Sequence, residues 1–270
     1  MDGSPLGARI EKRGKVLEIT LDRPKVNAID NALSRELGRA FVQLRDDPAL
    51  MAGIITGAGD RLFSAGWDLK ALDRGDQPLD KWWESEDAAS GGFAGITEMW
   101  DLDKPVIAAL NGHAIGGGME IALACDLIVA EDHVEFGLPE LPLGIVPDAG
   151  ALQRLPRRLP HAVAMELLLL GRRMPAAEAH RHGLVNAVVP KGQGMAKACA
   201  WADQIADLAP LAVRTIKEVF RATEGQTVRQ AFATMRSGSL PTYQRMLTSE
   251  DAKEGVRAFV ERRKPVFKGC

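Results

Sequence analysis

Two short apolar runs, "AGIITG" from Ala52 to Gly57 and "PVIAALNG" from Pro105 to Gly112, constrain this chain more than any other feature. Neither alternates with polar residues, so each predicts a strand covered on both faces that ends at a glycine. Helical patterns lie between them, which makes the chain α/β. Earlier, "KVLEITL" alternates Leu17, Ile19 and Leu21 with Val16, Glu18 and Thr20, and predicts a half-buried strand. The alternation runs to about Pro190. In "MPAAEAHRHGLVNAVVP", Pro175 can open a helix, Gly183 can close it in a left-handed cap, and Val185 to Val189 can form a short strand.

From Gly194 the period changes. "MAKACAWADQIADLA", "LAVRTIKEVFRAT" and "SEDAKEGVRAFVERR" carry apolar residues at helical spacing, and Ser249 before Glu250 and Asp251 suits a capped helix start. The chain therefore divides into 1–193, strands and helices, and 194–270, mostly helix. One segment resists: the polar stretch around Trp82 and Trp83 is either a loop or loose helix beside a binding site, or a surface insertion whose aromatics touch the core.

Several function classes are disfavoured. Lys plus Arg number 34 against 36 Asp plus Glu, so no positive excess exists to follow a nucleic-acid backbone. No stretch nears the ~20 continuous apolar residues that span a bilayer, and "MDGSPLGARIEKRGK" lacks the apolar segment of a secretory signal, so no membrane partner and a cytoplasmic location are expected. Cys125, Cys199 and Cys270 are far apart and suggest neither a disulfide framework nor a metal site. Phosphate-loop and dinucleotide glycine patterns are absent. Ser64 has no G-x-S-x-G setting, and His113, His133, His161, His180 and His182 form no H-E-x-x-H, so they predict surface or packing roles.

Two glycine-containing turns and two glutamates remain. In "FSAGWDLKAL", Ala65 and Gly66 would let a ligand approach the backbone; in "GHAIGGGMEIALACD", Gly116 to Gly118 follow one apolar strand and open a helix, presenting N–H groups free of side chains. Two such donors on one oxygen make an oxyanion hole. Glu120 falls in the first turn of that helix, where a solvent-facing carboxylate is also favoured by the macrodipole. Glu140 stands between Pro139 and Leu141, followed by Pro142, an apolar and rigid setting that would raise its pKa. Either glutamate alone reads as structural; both beside two such turns read as a catalytic pair.

At these residues the chain resembles the enoyl-CoA hydratase/isomerase, or crotonase, superfamily over almost its whole length. "RPKVNAID", "FSAGWDLKAL", "KPVIAALNGHAIGGGMEIALACDLIVA" and "FGLPELPLGIVPDAG" stand in the family's order and spacing. The resemblance implies a superhelix of repeated ββα units over residues 1–193, carrying the CoA site and active site, and a helical region over 194–270 that packs subunits into trimers, or hexamers as pairs of trimers. It implies an acyl-CoA thioester substrate, with no cofactor beyond the CoA of that substrate and no metal. The backbone N–H groups of Ala65 and Gly117 would hold the thioester oxygen. Glu140 would move the α-proton and Glu120 the water or hydroxyl, in a reversible syn hydration or dehydration. Lys25, Asn27, Ala28, Asp68, Leu69 and Lys70 would lie along the CoA, and Lys268 could reach a phosphate, from a neighbouring subunit if not its own.

Within the family, "GGFAGITE", "LDKPVIAA", "LGIVPD" and "SEDAKEG" resemble the branch that handles carnitinyl thioesters, which implies such a substrate here. A trimethylammonium cannot donate hydrogen bonds, so an aromatic face and a carboxylate are expected around it. Trp67 and Asp148 are the candidates. Short-chain enoyl-CoA hydration is the alternative, and a non-catalytic binding protein of the same fold a further one.

Overall fold

The computed structural model describes residues 7–76 and 90–270; Trp82 and Trp83 lie outside them. Strands β1 (Ala8–Arg13) and β2 (Val16–Leu21) lead into helix α1 (Asn31–Asp46). Strands β3 (Ala52–Gly57) and β4 (Leu62–Ser64) lead into α2 (Leu69–Asp73), and β5 (Val106–Leu110) and β6 (His113–Ile115) into α3 (Gly117–Ala124). A fourth pair, β7 (Leu127–Glu131) and β8 (Glu135–Gly137), is followed by α4 (Ala151–Arg158), α5 (His161–Leu170), β9 (Met174–Pro175), α6 (Ala176–Arg181) and β10 (Ala187–Val189). From β3 onward each strand pair adds one member to each of two sheets, ordered β1-β2-β3-β5-β7-β10 and β4-β6-β8-β9, so the repeats wind as a superhelix. Both sheets are parallel except at one edge, where β1 runs against β2 and β9 against β8.

The apolar runs are explained by what lies on each side. In β5, Val106, Ala108 and Leu110 face the main core, shared with Leu33, Leu37, Phe41 and Leu44 of α1, while Ile107 and Ala109 face a second core. That second core is closed by Ala198 and Ala202 of α7 (Gly194–Ala206), packed on Val16, Ile54 and Val129. Period-two alternation therefore sorts residues between two buried faces, and a two-faced strand has no polar positions. It also sets α7, the first helix past residue 194, against the sheet. Val16 is buried by the same helix, so only the Glu18 and Thr20 positions of β2 keep partial exposure.

Near the end of the strand-rich part, Pro175 caps α6 and Gly183 takes φ +79° just beyond it. Strand β10 starts later than the apolar run because the Val185 N–H donates back to Ala179 O at 3.3 Å and so belongs to the helix exit. The separate helical region is α8 (Pro210–Thr223), α9 (Val228–Arg236), α10 (Pro241–Leu247) and α11 (Glu250–Val260). Ser249 caps α11, its hydroxyl accepting the Ala252 N–H at 3.1 Å. No helix among the described residues is long and apolar enough to cross a membrane.

Glu218 of α8 joins two of these helices. It is 6% exposed, and its two oxygens accept the N–H groups of Thr242 and Tyr243 at 2.9 and 2.8 Å, at the start of α10. Glu218→Ala strands both donors and should cost about 2–3 kcal/mol of stability by urea unfolding; an unchanged midpoint would remove Glu218 from this role.

Candidate active site

Strand β6 ends at a glycine turn whose three members each serve a different close approach. Gly116 has φ +54°, and a Cβ there would lie 2.6 Å from the Glu140 Oε1. A Cβ on Gly117 would lie 2.6 Å from the Phe93 ring, and one on Gly118 would lie 2.2 Å from the Ser64 carbonyl oxygen. Gly66, at φ +82°, meets the turn from the other side: its Cβ would fall 2.4 Å from the Gly117 nitrogen. These glycines therefore clear space for the protein itself. The Gly117 N–H, first in α3, has no acceptor among the described residues, as a helix N-terminus leaves it.

Glu120 lies one turn on. Its expected alternative, a carboxylate in solvent, is ruled out by an exposure of 1%. Oε1 accepts the Ala151 N–H at 3.0 Å, which fixes the carboxyl against the start of α4. Burial pushes its pKa from 4.5 up to about 8; the Ala151 bond opposes the rise, and the charges of Glu140 and Asp148 add to it. Glu140 caps the short 3-10 turn Leu141–Leu143 and is 9% exposed. Its Oε2 is buried without a hydrogen-bond partner among the described residues. Burial raises its pKa to about 7, with a contribution from Asp148. Both carboxyls titrate near neutrality, Glu120 above Glu140, so one can be protonated while the other is ionised, the condition for one acid and one base.

The first turn requires a correction. The Ala65 N–H donates to Val26 O at 3.0 Å, so it is engaged within the protein and is not an open donor. Gly66 N–H donates to the Ser64 hydroxyl at 3.0 Å. Trp67 bridges to Ile29 through the bonds Ile29 N–H to Gly66 O and Asp68 N–H to Ile29 O, and this register turns the Trp67 amide away from Ile29. Its indole stacks on Phe93, centroids 4.6 Å apart and planes tilted by 31°. Asp148 is exposed, and its charge acts on both glutamates.

The residues expected along the CoA separate into two groups. Asn27 is 5% exposed, and its Nδ2 donates to the carbonyls of Ala58, Leu62 and Phe63 at 3.1–3.2 Å, while its own carbonyl accepts the Ser64 hydroxyl at 2.7 Å. Asp68 caps α2 through Oδ1 and pairs through Oδ2 with Arg23 at 2.9 Å. Arg23 also pairs with Asp30 at 2.8 Å and donates to Ala28 O at 3.0 Å. The side chains of Asn27 and Asp68 thus fasten the loop expected along the CoA, and the Ala28 carbonyl is engaged there by Arg23. Lys25, Leu69 and Lys70 remain exposed. Lys268 lines a cavity with Lys104 and Met51, which stand at the N-terminal edge of the large sheet, whereas Asn27 contacts Ala58 just past the C-terminal end of β3. The two edges of a six-residue strand are about 17–20 Å apart, so Lys268 is not brought to the Lys25 loop of its own chain.

Arg23, Ser64 and Phe93 were missed as contributors by sequence reasoning. Phe93 had a signal in "GGFAGITE", next to two glycines; Ser34 Oγ accepts the Ala94 N–H at 3.1 Å and seats that segment on α1. Two of the histidines are tied to backbone, His113 Nδ1 accepting the Glu135 N–H at 3.0 Å and His180 Nδ1 lying 2.8 Å from Val185 O, while His161 is exposed. No group of three or more His, Cys, Asp or Glu among the described residues could hold a metal ion.

Comparison with known proteins places this geometry. The family model described as enoyl-CoA hydratase/isomerase matches residues 11–270. Carnitinyl-CoA dehydratase of Proteus mirabilis (strain HI4320) is 54% identical over 257 residues, 95% of this chain and 96% of that protein. Among solved structures, enoyl-CoA hydratase from Mycobacterium tuberculosis H37Rv superposes with a TM-score of 0.87 at 41% identity, covering 98% of this chain and 99% of that one. Carnitinyl-CoA hydratase from Mycobacterium avium superposes with a TM-score of 0.75 at 42% identity, covering 99% and 100%.

A carboxyl with a raised pKa keeps its proton longer in the folded than in the unfolded chain, so it subtracts stability as pH climbs from its unfolded value through its folded one. For Glu120 that window runs from 4.5 to about 8. Glu120→Gln keeps the acceptor for Ala151 and removes the titration. Its stability relative to the parent should improve steadily across the window, with a slope of at most about 1.4 kcal/mol per pH unit. A gap that does not vary with pH in denaturant titrations would contradict the raised pKa.

Proposed function

We propose, from the premise that this chain belongs to the enoyl-CoA hydratase/isomerase family, that it catalyses the reversible interconversion of carnitinyl-CoA and crotonobetainyl-CoA. The hydro-lyase chemistry follows from the family and its closely similar dehydratases; the acyl group and the residue roles are the proposal. The observation that carries it is the pair of buried carboxyls, Glu120 and Glu140, raised to about 8 and about 7 beside the Gly117 N–H.

In the dehydration direction, Glu140 in its ionised form takes the proton from the α-carbon, and its unpartnered Oε2 is the oxygen that does so. Charge moves onto the thioester oxygen, where the Gly117 N–H donates to it; such a donor contributes about 3 kcal/mol to the transition state. The Trp67 amide replaces Ala65 as the second donor in this reading, because the Ile29 bridge directs it to the other side of the turn. The C–O bond at the β-carbon then breaks, and protonated Glu120 delivers its proton to the leaving hydroxyl, releasing water. Hydration reverses each transfer. No cofactor beyond CoA enters. Lys25 and Lys70 are placed along the CoA phosphates, with Leu69 against the pantetheine. The region beyond Pro210 is proposed to join subunits into trimers, paired as hexamers or not: Ile216, Phe220, Phe259 and Val260 leave large apolar side chains at 69–84% exposure.

Carnitinyl specificity is supported by Trp67, whose ring packs on Phe93, and by the Asp148 carboxylate, whose field reaches the catalytic pair. An aromatic face and an anion together suit a quaternary ammonium. Generic short-chain hydration is the second reading, favoured by the exposure of Asp148.

A panel of acyl-CoAs, followed by loss of the conjugated enoyl thioester absorbance, should show crotonobetainyl-CoA hydrated in preference to crotonyl-CoA; the reverse order would sink the carnitinyl assignment and leave the hydro-lyase. Glu120→Gln and Glu140→Gln should each lower turnover at least about 10³-fold while the oligomer stays intact, and near-parental turnover in either would end the two-carboxylate mechanism. Trp67→Ala should narrow the preference for carnitinyl over crotonyl substrate, and an unchanged ratio of kcat/KM values would remove its ring from recognition.

A further inference from the structure

The final stretch of chain is folded back and clamped. Asp251, 2% exposed in α11, accepts the Lys268 and Gly269 N–H groups through its two oxygens, both at 2.7 Å, and Glu254 accepts the Val266 N–H at 2.9 Å. The clamp sets Lys268 and Gly269 on the wall of a 260 Å³ cavity between the N-terminal edge of the large sheet and the helical region.

The charge on its walls is one-sided. Arg45 and Lys104 come from the sheet side, and Arg214, Arg245 and Lys268 from the helical side, against a single acid, Asp46. Asp46 is already paired with Arg45 at 2.7 Å. Lys104 is 6% exposed and donates to the Asp47 carbonyl at 2.6 Å, which satisfies one proton without neutralising the charge. Among the described residues the buried Arg214 Nε has no hydrogen-bond partner, and neither the Arg245 guanidinium nor the Lys268 ammonium is paired. Burial and the neighbouring Arg214 charge hold the Lys104 pKa down to about 8. Lys104 is buried and Arg214 half-buried, while Arg245 and Lys268 are exposed, and like charges gathered around a partly buried centre are costly until an anion meets them.

We propose that this cavity binds a phosphoryl dianion, as free phosphate or the terminal group of a phosphate monoester, shared by Lys104, Arg214, Arg245 and Lys268, and that its occupancy fastens the helical region to the sheet. Cations from both sides of the boundary then face one ligand, so binding and docking are the same event. The site stands at the opposite edge of the sheet from the Lys25 loop, so it does not depend on the thioester chemistry.

Thermal unfolding and titration calorimetry of the full chain in sodium phosphate, against sodium chloride at matched ionic strength, test this. Phosphate at about ten times its Kd should raise Tm by about 3 °C. Arg214→Gln should weaken phosphate binding by about tenfold or more while leaving the KM for the acyl-CoA unchanged. Arg245→Gln, at an exposed position, should weaken it too, and covers the case in which the first variant fails to fold. Adenosine monophosphate in place of phosphate separates the sources: equal stabilisation assigns the site to phosphate esters, stabilisation by phosphate alone to the free anion, and both support it. No phosphate-specific shift, parental affinity in both variants, or a KM for acyl-CoA that rises in step with the lost phosphate binding would each overturn it.

Discussion

The turn at Gly116 to Gly118 exists because three other parts of the chain come nearer to it than a Cβ would permit. Ser64 reaches Gly118 from the end of β4, Phe93 reaches Gly117 from a segment seated on α1, and the Glu140 carboxyl fills the place beside Gly116. Much of the surrounding arrangement follows from that crowding. β4 and β6 can pair in parallel only if their exits lie side by side, and those exits are Ser64 and the glycine turn. Asn27 then holds the preceding loop by three carbonyls of the same region, and Ile29 bridges to Trp67. Close packing of this kind leaves little freedom to relax, so a small displacement of one backbone is felt at the others.

A rigid scaffold is what two buried carboxyls require. Each resists ionisation because water is largely excluded, and the charge of Glu140 makes ionisation of Glu120 harder still. Such a pair works against folding at neutral pH, and it persists because the sheets and α1 supply apolar burial on both faces of the long strands. The same exclusion of water strengthens any interaction with charge developing on a bound thioester. Stability is spent where the chemistry is.

Different parts of the site were legible to different degrees. Glu120 and Glu140 could be singled out because a carboxylate inside an apolar run or between prolines is locally anomalous, and the family resemblance joined them. Their environment could not be read: the 1% exposure of Glu120 depends on Ala151, thirty-one residues away. Ala65 was a reasonable oxyanion donor by position, but whether an amide is available depends on its partner, and Val26 lies across a loop. Asn27 and Asp68 carry polar groups in a ligand-like loop, yet those groups serve the loop's own backbone and Arg23. Lys268 is a cation near the end of the sequence, and only the Asp251 clamp assigns it an edge of the sheet.

By itself the sequence determined the elements whose causes are local: strands without polar positions, the Ser249 cap, the Gly183 exit, and a glutamate in the first turn of a helix that opens on glycine. Periodicity, capping and φ preference act over a few residues and are written in the order of the chain. Tertiary structure decided what those elements touch. It placed α7 on the sheet, gave each glycine its neighbour, engaged the Ala65 amide and left that of Gly117 without an acceptor among the described residues. The reason is that availability of a donor, burial of a charge and reach of a side chain are properties of pairs, and the partners are set by how the superhelix brings distant residues together.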